Sequence, residues 1–350
     1  MLPFICKQAI RANKKSNIVY LNNPKVGCST VKFNLWKCVS PETHGPDVDV
    51  HDLKASPFSS QIAGQGWLKR ANIFTFVRNP YKRIVSAYLN KIRQREMPVW
   101  QDFCNRYGFD VADRISFESF VDAIFQDDPE YLDPHWRPQY INVMYPFIEP
   151  NFIGRLEDMD RDLPRVLSRF LGKDVEQAPR RNVHGTNADE KFMQFFECSA
   201  TLRKVRKLYE KDFEHFGYSR ELDGRHDKAD PPEFREVEHH RLDLLQSLFR
   251  MPGKSHEDEV VREAIRSARE TGDPFARNWA LHLSLNARSG EPAAALAEIR
   301  SQLGEIQAGF GFLKRTAARI AAANGAWPLV HQIASAELKR RYESRSWAGL

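Results

Sequence analysis

Two short apolar runs, each closed by Asn and Pro and followed at once by a helical pattern, constrain this chain more than anything else in it. Asn17–Leu21 (NIVYL) and Ile73–Val77 (IFTFV) are β-branched and aromatic and too short for helices, so both predict buried strands. Thr30–Cys38 follows the first and Tyr81–Arg95 the second, each with helical spacing. Strand, loop and helix twice over predicts an α/β fold with a parallel sheet, since parallel neighbours need a crossover and a helix supplies it. A third apolar stretch, Phe147–Gly154, is interrupted by Glu149-Pro150 and predicts two pieces around a turn. Leu156–Leu171 predicts a helix that stops at Gly172. Leu202, Val205, Leu208, Tyr209, Phe213 and Phe216 predict another, ending near Gly217.

The pattern changes after Glu221–Pro232, a charged stretch with Gly and two prolines that reads as a linker. No strand pattern follows, and alanine becomes frequent. Helices are predicted at Glu233–Arg250, Asp258–Thr271, Phe275–Arg288, Pro292–Leu303, Phe310–Asn324 and Trp327–Arg345. The domains expected are therefore 1–222, a linker 223–232 and an all-α domain 233–350. Gly290 and Gly325 sit in turns 35 residues apart, close to the tetratricopeptide period, although a plain helical bundle fits equally.

Charge and cysteine content narrow the function classes. The chain of 350 residues carries 52 Lys+Arg against 46 Asp+Glu, a net +6, with opposite signs interspersed as on a solvated surface. That balance fits an anionic ligand, and without an arginine-rich stripe or reader module it does not predict nucleic-acid binding. Aromatics at 11% rule out general disorder. No run approaches the roughly 20 apolar residues of a spanning helix, so no integral membrane span is expected. Five widely spaced cysteines without a CxxC predict neither a zinc knuckle nor a disulfide framework, and a reducing, cytoplasmic setting fits them. The N-terminal apolar stretch is too short for a signal peptide, and its basic residues follow it. His44, His51 and Cys38 lack metal-ligand spacing, and no metal is expected.

Two loops carry the chemistry. Asn23-Pro24-Lys25-Val26-Gly27-Cys28-Ser29-Thr30 joins the first strand to its helix. A lysine, a glycine and then hydroxyls opening a helix make an anion cradle, in which backbone N–H groups and the helix dipole face negative charge. The Walker A pattern is absent, because the lysine precedes the glycine. The second loop runs Arg78-Asn79-Pro80-Tyr81-Lys82-Arg83-Ile84-Val85-Ser86-Ala87-Tyr88. Pro80 suits a first helical turn, Arg78 stands where open α/β sheets bind ligands, and Ser86 reaches toward the same anion.

Taken together these segments resemble the carbohydrate branch of the sulfotransferases. In that family a PKVGCS/T-type loop holds the 5′-phosphosulfate of 3′-phosphoadenosine 5′-phosphosulfate, and an FVRNPYxRxVSAY-type segment holds its 3′-phosphate. Pro24–Thr30 and Phe76–Tyr88 match these in order. Asp133-Pro134-His135-Trp136-Arg137-Pro138-Gln139 is similar to an HWxPQ element, Phe152–Glu157 to an FIGRxE strand, and Tyr209–Tyr218 to a YxxDFxxFGY close. The resemblance covers about residues 18–218 and implies a P-loop-type three-layer fold around the parallel sheet. The animal members carry an N-terminal Golgi anchor and cysteines after HWxPQ. This chain shows neither, reading YINVMY at Tyr140–Tyr145, which again favours a cytoplasmic setting.

The resemblance implies a sulfotransferase that passes a sulfuryl group to a hydroxyl of a carbohydrate or glycolipid acceptor. Its donor site is expected at Lys25, Val26, Gly27, Cys28, Ser29, Thr30, Arg78, Ser86 and Arg181, with Lys25 stabilising the bridging oxygen. Imidazole titrates near neutrality, which suits a base, and the resemblance places His135 ahead of His51 and His184. Asp133 or Glu157 is expected to orient it. Trp67, Trp100 and Trp136 are candidates for a sugar platform or for the core. The C-terminal helices are expected to present a partner or acceptor, or to self-associate. Two other readings remain: a P-loop phosphotransferase, which would need a GK[ST] core and magnesium ligands, and a non-catalytic nucleotide-binding protein with helical repeats.

Overall fold

In a computed structural model of the chain, the described residues are 8–222, except 53, 61–66, 68–69, 128, 146–147 and 182–185. They continue through 232–237 and, between 277 and 333, all but 279–280, 283, 286–287, 289 and 309–310. The chain divides into one unit of Phe4–His239 and another of His240–Leu350 with Met1–Pro3.

The first unit is a mixed α/β structure built on a four-stranded sheet in the order β1 (Ile10–Asn13), β2 (Ile18–Leu21), β3 (Asn72–Val77), β4 (Phe152–Arg155). Both predicted strands are present, and β2–β3 and β3–β4 pair in parallel, with Val19 opposite Ile73 and Phe76 opposite Gly154. The sheet is not wholly parallel, however. Ile10–Asn13 pairs antiparallel with β2 through a tight hairpin in which Asn13 Oδ1 accepts from Ser16 N at 3.0 Å. Such a pair needs only a short connection, so no crossover helix announces it.

One sheet face carries Ile18, Tyr20, Phe74, Phe76 and Phe152, spaced two apart along their strands, as residues on one face must be. Helix α1 (Cys28–Val39) covers it with Val31 and Leu35, and Met159–Leu171 with Met159, Leu163, Val166 and Leu167. The alternate residues Val19, Leu21, Ile73, Thr75 and Val77 are buried too, so the central strands are covered on both sides, which explains their continuous apolar runs.

Helix α2 (Pro80–Ala87) has Pro80 in its first turn, as expected, and the structure adds a cap: Asn79 accepts from Tyr81 N at 3.0 Å and Lys82 N at 3.4 Å. The predicted helix Tyr81–Arg95 is not uniform, because Tyr88–Arg93 is wound as a π-helix. The segment predicted as one helix near Leu202–Phe216 is two, Ser199–Leu208 and Glu210–Phe216, broken at Tyr209. Tyr209 is buried there, with its hydroxyl donating to Trp136 O at 2.5 Å.

The predicted helix from Glu233 does not begin there, since residues 232–237 carry no helix. Phe234 packs on Phe152 at 4.8 Å between ring centres. Arg235 N donates to Asn151 O at 2.9 Å while Asn151 Nδ2 donates to Arg235 O at 3.0 Å. The linker residues 223–231, the helix Asp258–Thr271 and the end of Trp327–Arg345 lie outside the described residues.

In the second unit the helices Pro292–Ser301, Leu303–Ala308, Gly311–Ala323 and Trp327–Ile333 bury Ala295, Ile299, Ile306, Leu313, Ala317, Ala321 and Val330. Gln307 Nε2 donates to Gln332 O at 2.9 Å, tying the second of these to the last.

Gly154 marks the tightest point in the sheet. A Cβ there would stand 2.4 Å from Phe76 Cε1 and 2.8 Å from Cδ1, on a ring with no exposed surface. Gly154→Ala is therefore expected to destabilise the protein by about 1–3 kcal/mol in denaturant unfolding, the usual cost of overpacking. A change below about 0.5 kcal/mol, the range of a neutral surface substitution, would contradict this packing.

Candidate active site

The lysine loop forms as an anion cradle. Gly27 occupies the cap position of α1 with φ +75°, a conformation that favours glycine, and an added Cβ would meet Leu156 and Met159 at 2.9 Å. No side chain caps the helix and its first turn holds no acidic residue, so its leading N–H groups remain for a ligand. Lys25 takes φ +69°, and its Nζ donates to Asn90 Oδ1 at 2.7 Å. Burial, with the neighbouring charges of Lys91 and Arg78, pushes the Lys25 ammonium down to about 7. Thr30 Oγ1 accepts from Arg181 N at 3.0 Å. Arg181 donates to Val48 O at 3.0 Å and lies over the Phe33 ring at 4.9 Å.

The arginine loop meets it from the adjacent strand. Arg78 is 5% exposed, donates from Nη1 to Lys25 O at 3.1 Å and from Nη2 to Asp189 Oδ1 at 2.7 Å, and its buried Nε has no hydrogen-bond partner. A buried unpaired donor on a cation is costly, and here it marks a place for an acceptor. Behind it, Gln139 spans the strand end: Oε1 accepts from Arg78 N at 2.9 Å, and Nε2 donates to Arg78 O at 2.8 Å. Ser86 Oγ lies 3.5 Å from Thr186 Oγ1.

His135 faces the same space. Its Nδ1 is 2.6 Å from Asp133 Oδ1, which also accepts its backbone N–H at 2.9 Å. A carboxylate partner places the proton on Nδ1 and leaves the Nε2 lone pair unused, the arrangement a base requires. Burial lowers the imidazole pKa, the Asp133 hydrogen bond and charge oppose this, and Lys91 and Lys25 lower it further. Burial would raise the Asp133 carboxyl, but the hydrogen bonds and charge of His135 outweigh it and hold it below its usual value. Of the two residues expected to orient His135, Asp133 does so. Glu157 is committed elsewhere, accepting from Asn79 N at 2.9 Å and Tyr218 Oη at 3.0 Å.

These groups line one cavity of about 570 Å³. Lys25, Gly27, Cys28, Ser29, Thr30, Arg78, Ser86, His135 and Arg181 all border it, whereas the Val26 side chain is fully buried in the core. Val26 therefore does not border the cavity, unlike its neighbours Lys25 and Gly27. His51 also lines the cavity, and His184 lies outside the described residues. Trp100 and Trp136 are not at the wall: both are buried, packed against Phe103, so they are core residues.

The sequence reading missed Asn90, Lys91 and Glu96, which reach the cavity from the π-helix and the turn after it. A π-turn brings an extra residue inward, and a helical pattern does not reveal it. It also missed Lys32, whose signal was present: it stands three residues after Ser29 and shares its helix face. Asp189, paired with Arg78, comes from a one-turn helix at Ala188–Lys191 that carried no signal.

Comparison with known proteins adds to this geometry. A family model described as "Sulfotransferase family" matches residues 8–219. Carbohydrate sulfotransferase 14 of Danio rerio is 27% identical over 235 residues, covering 60% of this chain and 62% of that protein. The Mus musculus protein of the same name is 28% identical over 60% of each chain, and Mus musculus carbohydrate sulfotransferase 12 is 29% identical over 43% of this chain and 41% of its own. The chain thus spans about three-fifths of the length of the first of these relatives. No solved structure matches it.

These relatives correct the expected cytoplasmic setting, because the carbohydrate sulfotransferases 14, 12, 11 and 10 are Golgi membrane-type enzymes. The cysteine spacing and the short N-terminal apolar stretch were arguments from absence and carry no information about compartment. Among the described residues no helix is long and apolar enough to cross a membrane.

The His135–Asp133 contact makes a measurable claim. Asp133→Asn removes the charge that raises the imidazole pKa, so the His135 titration followed by NMR is expected to shift further down. An unmoved midpoint would show that the carboxylate does not support the ring.

Proposed function

We propose, since this chain belongs to the sulfotransferase family, that it transfers a sulfuryl group from 3′-phosphoadenosine 5′-phosphosulfate to a hydroxyl of a carbohydrate-type acceptor, free or lipid-linked. The observation that carries this reading is the convergence, in one cavity, of an uncapped helix start, a buried lysine, an arginine with an unpaired buried Nε, and a carboxylate-supported histidine. The donor set fits a nucleotide with phosphate at both ends: Lys25 and the start of α1 for one, Arg78, Ser86 and Arg181 for the other. We read the architecture accordingly as P-loop-type and three-layered, and the unit that begins at His240, rather than at 233, as an all-α domain that presents a partner or acceptor or self-associates.

When bound, the phosphosulfate supplies the activated sulfur–oxygen bond that transfer breaks. The work left to the chain is positioning and electrostatics, as in phosphoryl transfer. Lys25 stabilises the bridging oxygen as negative charge develops, and Ser29, Thr30 and the N–H groups of Gly27 and Cys28 hold the phosphosulfate. His135 takes the acceptor hydroxyl proton on Nε2, and Asp133 stabilises the imidazolium that results.

Donor-dependent labelling of a glycan panel tests the reading directly. Lys25→Ala is expected to lower kcat roughly 10²–10³-fold, the usual loss for a transition-state donor. His135→Ala is expected to lower it about 10²–10⁴-fold while keeping affinity for adenosine 3′,5′-bisphosphate. Near-wild-type turnover in His135→Ala would remove the base assignment.

Binding should also be linked to pH. Lys25, held at about 7 when unliganded, is progressively neutral above that pH, while an anion beside it restores the charged form. Bisphosphate binding at pH 8 is therefore expected to take up a proton, with affinity falling by up to about tenfold per pH unit above 7. Calorimetry in buffers of different ionisation enthalpy reads the uptake, which Lys25→Ala should abolish.

A further inference from the structure

Ser29, His51 and Lys32 form a hydrogen-bonded chain on the cavity wall, of which the reaction as derived uses Ser29 alone. Ser29 and Lys32 share a face of α1, and His51 comes from the connection between α1 and β3 to lie between them. Lys32 Nζ is 3.0 Å from His51 Nδ1, and His51 Nε2 is 3.1 Å from Ser29 Oγ. The backbone leading into the imidazole is tied down: His51 N donates to Asp49 Oδ1 at 2.8 Å, and Arg181 donates to Val48 O at 3.0 Å.

Donor counting fixes the direction of this chain. An ammonium offers donors only, so Nδ1 presents its lone pair to Lys32, and the neutral ring carries its proton on Nε2. Nε2 therefore donates to Ser29 Oγ. The charged groups facing the ring are Lys32 from α1, Asp49 from its own loop, Lys91 from the π-helix and Arg11 from β1. Burial and then Lys32 push the imidazole down to about 4, so it stays neutral throughout the ordinary pH range. With an Oγ lone pair occupied by His51, Ser29 turns its own proton toward another acceptor, and its hydroxyl borders the cavity.

We propose that His51 is a positioning residue which, keyed by Lys32, makes the Ser29 hydroxyl an obligatory hydrogen-bond donor to the 5′-phosphate end of the bound nucleotide. The inference rests on the reading of this cavity as the phosphosulfate site. It also removes His51 as an alternative base, because Nε2 already carries its proton.

The test is a double-mutant cycle read by calorimetry with adenosine 3′,5′-bisphosphate on the full chain. His51→Ala is expected to weaken binding about tenfold, the worth of one hydrogen bond to a charged group. His51→Gln, whose amide can accept from Lys32 and donate to Ser29, is expected to recover most of that. In a Ser29→Ala background, His51→Ala should change affinity by less than about twofold, since its route of action is gone. A purely structural role would instead reproduce the full loss in that background and fail to distinguish Gln from Ala, and either result overturns the proposal. Unchanged affinity in His51→Ala with normal wild-type binding overturns it alone. No binding by the wild-type protein overturns the reading of the cavity as well.

Discussion

The site depends on one buried guanidinium that takes no part in the chemistry. Arg83, 1% exposed, gives each of its nitrogens to a backbone carbonyl: Nε to Pro24 at 3.0 Å, Nη1 to Arg137 at 2.7 Å and Nη2 to Pro134 at 2.8 Å. The first acceptor precedes Lys25, and the other two bracket His135. Two loops separated by more than a hundred residues are thereby held against one rigid planar fork, which a lysine could not imitate. Burial lowers the pKa of the group, opposed by Tyr209 and Asp212. The carbonyl dipoles are what make so deeply placed a charge tolerable.

A second layer of buried polar groups extends the same frame. Asp212 accepts from Gln139 N at 2.8 Å and Tyr140 N at 2.9 Å, fixing the start of the short helix after the histidine loop. Gln139 then clasps Arg78, and Asn23 and Asn142 join the network at 3.1–3.2 Å. Burial raises the Asp212 carboxyl to about 6 despite those donors, so the network has its full strength only where this group is ionised. The reactive groups stand on loops, but the loops are immobilised by polar contacts that never meet a ligand.

What the sequence made readable was local. Pro80 in a first turn, Asn79 before it, a glycine opening α1 and apolar strands ending at charged loops all act within a few residues of themselves. What stayed hidden was decided across the chain. Four residues, IRAN, become a strand only because β2 offers its edge, and nothing in them announces the pairing. Asp133 and Glu157 looked equivalent as partners for His135 until Asn79 and Tyr218 were seen to occupy Glu157. Trp100 and Trp136 could not be assigned to wall or core from composition, because that choice depends on which aromatic rings surround them. The π-helix is the clearest case: Asn90 and Lys91 both reach the cavity because the helix widens there, and the apolar pattern around them is compatible with an ordinary helix.

Gly27 carries an implication for how such a loop can change over time. Its backbone disfavours any side chain, and even a methyl would collide with Leu156 and Met159, which belong to a different strand–helix junction. A replacement therefore has no single-step route: the distant pair would have to shrink first, at a loss to the core, before the loop could accept anything larger. Drift at this position is barred by neighbours more than a hundred positions away, while Cys28 beside it, partly open to solvent, is under no such embargo.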